Sequence, residues 1–308
     1  MKVFYFTGTG NSLFLAERIC EAAGGGDLVS IAAFLRECGE TGQKDGESGD
    51  GKAIGWRKDV LIEDEAVGIV FPVYWVSVPA PVVKFLRQIR IESPYIFAVP
   101  TFGGFGLPVH DHLRELAREQ KFHFSLIAGC KMPDNFVPWY DLGKQNRRFP
   151  QGKIAARADR AAELVAARHV GGTGATILRP LLPLAKRYST KNASDFDTRY
   201  FRVEAACTGC GLCAMACPAG NIRMEGGSAS DSRSRPAFCG MCWCCLACTN
   251  VCPQNAIRCE GEKSKARYVN PFVGAQGLLA QKAPHGVAAF ETVEAHRTTP
   301  TTESLPCA

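Results

Sequence analysis

The sequence is short of several things that chains of its length often carry. Its one long charge-free run, Ala66 to Val83, is broken by Pro72, Pro79 and Pro81, so it reads as a strand, a loop and a new helix rather than a membrane span. No secretory leader is visible, because "MKVFYFTGTGN" passes from a short apolar strand straight into a polar glycine loop, and a reducing, cytoplasmic setting is expected. That loop lacks the Gly-Lys-Ser/Thr of a nucleoside-triphosphate site. It also lacks the third glycine of a dinucleotide fingerprint, since Leu13 stands there, and Ile31 ends the second strand where that fold needs an acid. Histidine is scarce, with six in 308 residues. Of these, His110 and His112 could contribute protons near a helix start, but a solvated helix end is the favoured explanation. Cysteine, finally, is sparse outside one short region: of fifteen, ten fall between Cys207 and Cys252.

What is present fits two domains. With 46% hydrophobic and 21% charged residues, the chain has the balance of a soluble globular protein and is too long to need disulfide staples for want of a core. The net charge of +6 is uneven: Lys131 to Arg202 holds 14 basic and 6 acidic side chains, leaving −2 for the remainder. A basic middle can attract an acidic partner or a nucleotide, although a solvated helix face and linker account for it too.

Strand-like and helix-like patterns alternate over the first 170 residues. "KVFYF", "DLVSI", "AVGIVF", "YIFAVPT" and "FHFSLIAGC" read as strands. "SLFLAERICEAA", Ala80–Ile89, Pro108–Gln120 and Ile154–His169 read as helices. Such alternation predicts a parallel sheet covered on both faces. Residues 39–59 are glycine-rich and polar, the composition of a surface insertion. From Gly171 to Asp197 the pattern fades into a linker with a short helix around Leu181–Tyr188. After Gly261 no clear periodicity remains, and the end of the chain has the composition of a disordered tail.

The stretch "CGMCWCCLACTNVCP" is explained by an internal repeat. A shift of 35 positions superposes Cys207, Cys210, Cys213 and Cys217 on Cys242, Cys245, Cys248 and Cys252, and carries Pro218 onto Pro253, Ile222 onto Ile257 and Gly226 onto Gly261. Each copy reads C-x2-C-x2-C-x3-C-P, the bacterial ferredoxin run in which the fourth cysteine serves the other cluster. Cluster I is therefore expected on Cys207, Cys210, Cys213 and Cys252, and cluster II on Cys242, Cys245, Cys248 and Cys217. Zinc is the rival for soft thiolates, but zinc ribbons pair two C-x2-C units around a longer spacer. Cys239, Cys244 and Cys259 fall opposite Glu204, Gly209 and Met224, so they are expected to be spare thiols.

"FTGTGNSL" supplies hydroxyls at Thr7, Thr9 and Ser12 among backbone donors at Gly8, Gly10 and Asn11, where a phosphate could sit at a helix start. The pattern resembles the phosphate loop of flavodoxins, which hold the monoester phosphate of FMN with hydroxyls and amides. That resemblance implies a doubly wound parallel five-stranded sheet of order 2-1-3-4-5, with the ligand at the carboxyl ends of the strands. The loops "FPVYWVSVP" and "TFGGFG" would then bring Pro72, Tyr74, Trp75, Thr101, Phe102, Gly103, Gly104 and Phe105 to the flavin, with Trp75 and Phe102 stacking on it.

Taken together, "TGTGNS", the two cysteine runs, "MPDNF" at Met132–Phe136 and "RYVNP" at Arg267–Pro271 resemble the flavodoxin–ferredoxin fusion proteins called ferrodoxins, over roughly residues 1–271. The resemblance implies an FMN-binding flavodoxin-like domain at 1–170, a linker at 171–200, a small α+β two-cluster ferredoxin domain at 201–262, and a partly disordered tail at 263–308. It also implies electron transfer through FMN and two 4Fe–4S clusters to redox partner proteins, with no nucleic acid and no membrane span. "MPDNF" and "RYVNP" have no chemistry legible from sequence. The alternative functions are an FMN-dependent reductase of a small molecule, fed by its own clusters, and a redox sensor using Cys239 and Cys244. The linker is too long for a tight turn and too apolar for a free spacer, so it should lie partly across the first domain and bring the ferredoxin unit near the flavin.

Overall fold

Alternation begins at the first residues. The apolar strand β1 (Lys2–Tyr5) feeds the amphipathic helix α1 (Asn11–Ala22), then β2 (Asp27–Ser30) and α2 (Ile31–Glu37), whose N-cap Ser30 accepts the Ala33 amide. The computed structural model describes residues 1–38, 60–104, 106, 108–172, 174, 176–195, 200–226, 233–240 and 242–280. The glycine-rich stretch 39–59, Phe105 and the chain beyond 280 lie outside the described residues.

The first half continues with β3 (Val60–Glu63), β4 (Val67–Pro72), α3 (Ala80–Leu86), β5 (Ile89–Glu92), β6 (Ile96–Phe102) and α4 (Pro108–Glu119). After these come β7 (Leu126–Ile127), β8 (Cys130–Lys131), α5 (Leu142–Arg148) and α6 (Gln151–Ala166). The main sheet runs β2-β1-β4-β6-β7, every pair parallel, with β8 a second short partner of β6. Counted along this sheet alone, the order is the flavodoxin-like 2-1-3-4-5. Both faces are buried, as a parallel sheet requires. Phe4 faces Phe34 and Phe85 of α2 and α3, while its neighbours Val3 and Tyr5 face Ile19 of α1 and Ala158 of α6.

Three expectations are corrected. The single strand expected over "FHFSLIAGC" is two short pieces that begin only after Phe122 and Phe124, which meet edge-on in the core. The helix expected to reach Ile89 stops at Leu86, and Ile89–Glu92 instead pairs with β3 in register Val60↔Ile89; its alternating burial is the period-2 signature of a strand. The linker helix, α7, is longer than expected, Leu182–Asp195.

The cysteine region comprises β9 (Phe201–Val203), α8 (Leu212–Ala216), β10 (Ile222–Glu225), β11 (Arg235–Phe238), α9 (Ala247–Val251) and β12 (Ile257–Cys259). β10 pairs with β11 and β12 with β9, both antiparallel. The sequence repeat is also a backbone repeat. α8 and α9 are equivalent five-residue helices, each entered through a left-handed residue, Gly211 or Leu246, and each left through an extended cysteine, Cys217 or Cys252. The periodicity missed after Gly261 is a helix, α10 (Gly274–Ala280).

The two halves share a core. Ala216, Cys245, Ala247 and Val251 pack in the cluster that contains Phe4, Phe6 and Ile31, and the Trp243 ring meets Phe6 edge-on at 5.8 Å. Across the same junction the Arg36 guanidinium donates to the Pro218 carbonyl at 3.0 Å. No helix among the described residues is long and apolar enough to cross a membrane.

Candidate functional site

The glycine loop joins β1 to α1. Gly10 caps the helix at φ 95° with no side chain capping the first amides, so those donors point outward, a condition a phosphate satisfies. The loop also orients its hydroxyls. Thr7 Oγ1 accepts the Gly10 amide at 3.0 Å and Thr9 Oγ1 accepts Asn135 Nδ2 at 3.1 Å, which leaves both hydroxyl protons to be donated elsewhere. Ser12 Oγ and Thr101 Oγ1 share a hydrogen bond of 2.9 Å.

Thr7, Gly8, Thr9, Asn11 and Ser12 line one cavity together with Pro72, Tyr74, Thr101, Phe102, Gly103 and the turn Met132–Asn135. No lysine or arginine is among them. The Tyr74 hydroxyl is buried there without a hydrogen-bond partner, and burial, then the charge of Cys245, pushes its pKa well above 10. It is a neutral donor at any working pH, and its missing acceptor is what a phosphate or ribityl oxygen would supply.

A second cavity of about 290 Å³ shares Tyr74, Phe102, Gly103, Asp134 and Asn135 with the first and is also lined by Trp75, Gly104, Phe136, Trp139 and Tyr188. Trp75 sits edge-on to Phe136 at 4.8 Å and to Trp139 at 5.3 Å. The aromatic lining of this cavity would suit a planar ring such as isoalloxazine. Backbone strain concentrates here. Tyr74 and Ser77 exchange both main-chain hydrogen bonds around Trp75 (φ 51°) and Val76 (φ 56°). Such a turn normally takes Asn and Gly, so these residues cost about 1–3 kcal/mol each. Cys244 (φ 54°) lines the same cavity.

Sequence reasoning missed Asp134, Asn135, Phe136, Trp139, Tyr140 and Tyr188. The only sequence signal at these positions is "MPDNF", whose chemistry a local pattern does not reveal. Burial raises the Asp134 carboxyl above its ordinary 3.8, against amide hydrogen bonds from Phe136 and Asn135 that lower it. "RYVNP" also acquires a place: the Asn270 amide donates to the Thr9 carbonyl at 2.8 Å, and Tyr268 Oη bonds Asn11 Oδ1 at 2.6 Å. His110 and His112 line neither cavity. His112 is buried against Ser77 Oγ at 2.8 Å, and desolvation followed by Lys186 lowers its pKa to about 4.

The structure gathers the cysteines in crossed sets. Cys207, Cys210, Cys213 and Cys252 line one cavity with Leu212, Met224 and Ile257. Cys217 lies close enough to Cys245 and Cys248 to raise both thiols, after burial, which is the larger cause; Cys242 acts on both as well. Buried thiols so grouped resist ionisation unless metal charge compensates them. Equivalent amides reach the two fourth cysteines, from Asn221 to Cys217 Sγ at 3.3 Å and from Ala256 to Cys252 Sγ at 3.2 Å. Among the described residues no three His, Cys, Asp or Glu side chains form a group suited to a single ion. Of the extra thiols, Cys239 is exposed, whereas Cys244 and Cys259 are buried.

Residues 200–223 match the family model described as the 4Fe-4S binding domain. No curated protein matches the chain. Among solved structures the chain is similar to a flavodoxin from the domain Archaea, at 15% identity over 55% of this chain and 98% of that one, with a TM-score of 0.31. It is also similar to the Trp repressor binding protein from Bacillus subtilis, at 13% identity over 52% and 95%, with a TM-score of 0.30. Likenesses so slight carry no argument; the strand order describes the first half, and the family match covers the first cysteine copy alone.

Proposed function

We propose that this protein is an electron relay in which two 4Fe–4S clusters and one FMN occupy a single chain and exchange electrons with redox partner proteins. Cluster I is held by Cys207, Cys210, Cys213 and Cys252, and cluster II by Cys242, Cys245, Cys248 and Cys217. Thr7, Gly8, Thr9, Gly10, Asn11 and Ser12 hold the flavin phosphate. Pro72, Tyr74, Trp75, Thr101, Phe102, Gly103 and Gly104 surround the rest of the cofactor. When bound, FMN accepts or releases one or two electrons where each cluster passes one.

The observation that carries this reading is the contact between the two halves. Cys245 belongs to the second set, and its carbonyl oxygen lies against Gly8 so closely that no Cβ fits at that position. In the first set, by contrast, Cys210 is exposed, and its cavity is lined wholly by residues of the cysteine region. The order is therefore partner, cluster I, cluster II, flavin. Residues 1–170 form the flavin domain and 201–262 the cluster domain. The linker covers the flavin, since Tyr188 of α7 walls the ring cavity.

Anaerobic purification with iron, sulfide and flavin analysis and EPR tests the composition, which should be about eight irons and one FMN per chain. Stopped-flow reduction tests the wiring: flavin reduction by the clusters should proceed at a rate independent of protein concentration. A rate proportional to concentration would mean that flavin and clusters exchange only between molecules, and the relay would be wrong.

A further inference from the structure

We propose that Asn135 is a positioning residue that couples the two cofactor sites, so that filling the phosphate loop is felt at cluster II and not at cluster I. The inference rests on the assignment of FMN and of the clusters given above. One amide group serves both sites. Asn135 Nδ2 donates to Thr9 Oγ1 at 3.1 Å and to the Cys245 carbonyl at 3.3 Å. A carbonyl can only accept, which fixes the amide orientation, and its two protons meet two acceptors. Because Thr9 Oγ1 is an acceptor in this bond, its own proton is turned out for the phosphate. An oxygen that donates to a phosphate becomes a better acceptor, so the bond from Asn135 strengthens as the loop fills and draws the shared amide towards Thr9, which alters its hold on the Cys245 carbonyl.

Neighbouring groups leave this linkage little slack. Asn11 Nδ2 donates to the Pro133 carbonyl at 3.0 Å, tying the phosphate loop to the turn that carries Asn135. On the cluster side, Asn250 Nδ2 donates to the Leu246 carbonyl at 2.9 Å, one residue beyond Cys245, and Asn250 Oδ1 accepts the Tyr268 amide at 3.0 Å. The Tyr268 hydroxyl returns to Asn11 Oδ1. A closed circuit of side-chain amides thus joins the phosphate loop to the loop bearing Cys245. The first unit lacks it: the residue equivalent to Asn250 is Met215, which is 45% exposed where Asn250 is 4% exposed.

The test uses the full chain carrying its clusters, with flavin removed and returned as FMN or as riboflavin, which lacks the phosphate. Flavin affinity is read by fluorescence, and each cluster by its EPR line shape and potential, cluster II being the signal lost in Cys242→Ser. FMN should shift the cluster II signal and riboflavin should not, with cluster I unchanged by either. In Asn135→Ala, FMN should bind about tenfold more weakly, riboflavin should bind much as before, and the cluster II response should disappear. Thr9→Val removes the same bond from the other side, so it should abolish the response too and carries the test if Asn135→Ala loses iron. The double variant should be no worse than the poorer single one. A response that persists in either variant, or that appears equally at both clusters as a simple field effect, overturns the coupling while leaving the flavin assignment intact. Failure of the parent protein to bind FMN overturns both.

Discussion

The two cysteine units share a backbone and differ in what they face. Gly209, Gly211 and Gly220 adopt left-handed conformations in the first, and Cys244, Leu246 and Asn255 adopt the same conformations 35 positions later in the second. Glycine does this without strain, whereas Cys244 and Leu246 each cost about 1–2 kcal/mol and Asn255 less, because asparagine tolerates the left-handed region. The second unit tolerates that cost where its side chains are wanted: Cys244 walls the ring cavity and Leu246 is packed in the core beside Val137 and Leu142. The first keeps glycine and an exposed Cys210. One skeleton thus presents an exposed cysteine in the first unit and, in the second, a cysteine pressed against the glycine loop.

The strongest way to break the comparison is to remove the crossed cysteines. Cys217→Ser should abolish cluster II, although Cys217 lies in the first unit, and Cys252→Ser should abolish cluster I. Iron analysis should show half the metal lost in each case, and EPR should show opposite signals surviving. Loss of the cluster belonging to the mutated unit's own first three cysteines would end the crossed assignment.

Two glycines provide the next test, because each is pressed by backbone but only one lies between the glycine loop and the second cysteine set. A Cβ at Gly8 would fall on the Cys245 carbonyl oxygen, and one at Gly209 would come 2.7 Å from the Ser234 carbonyl oxygen. Forcing either apart costs about 1–3 kcal/mol. Gly8→Ala should therefore weaken FMN binding about 10- to 100-fold and perturb the cluster II signal, while Gly209→Ala should disturb cluster I and leave FMN affinity unchanged. Equal effects of the two substitutions on flavin would erase the inner and outer distinction.

The parts of this arrangement that were legible in the sequence are those set by short-range chemistry. Cysteine spacing and the 35-residue repeat gave the two sets, and hydroxyls alternating with glycines gave the phosphate loop. Strand and helix periods gave the sheet. Residues that reach the site from afar were illegible: Asn135 and Tyr268 act through partners 126 and 257 positions away, and no local pattern encodes such a pairing. The β3–β5 pair was missed for a related reason, since "IRIE" continues an apolar stretch and only its partner strand decides its conformation.

Asp134 sharpens the comparison through pH. It lines the ring cavity, whereas among the described residues no carboxylate lines the cavity of the first cysteine set. Burial raises its pKa above 3.8, so the folded protein holds this proton more firmly than the unfolded chain. Stability from this group is complete below pH 3.8 and declines as pH rises towards the folded value, after which the penalty stays constant. Asp134→Asn, which keeps an acceptor for the Phe136 amide, should stabilise the protein at pH 7 and make no difference at pH 3. Denaturant melts at the two pH values measure this; a gain at pH 3 equal to that at pH 7 would assign the effect to packing instead.

The smallest effect is expected where the second unit is given the first unit's residue. Cys244→Gly deletes a buried side chain, a loss of about 1 kcal/mol, and adds freedom to the unfolded chain worth about as much. Against this it relieves a left-handed non-glycine residue, a gain of about 1–2 kcal/mol. The terms nearly cancel, so stability should change by less than about 1 kcal/mol while iron content stays the same. The reverse exchange has no such balance: Gly209→Cys introduces the strain and drives a Cβ against the Ser234 carbonyl. Chemical denaturation of the pair should therefore be markedly asymmetric. If Cys244→Gly instead sheds cluster II, Cys244 is a ligand or a necessary neighbour of one, and the 35-residue register would have to be redrawn around it.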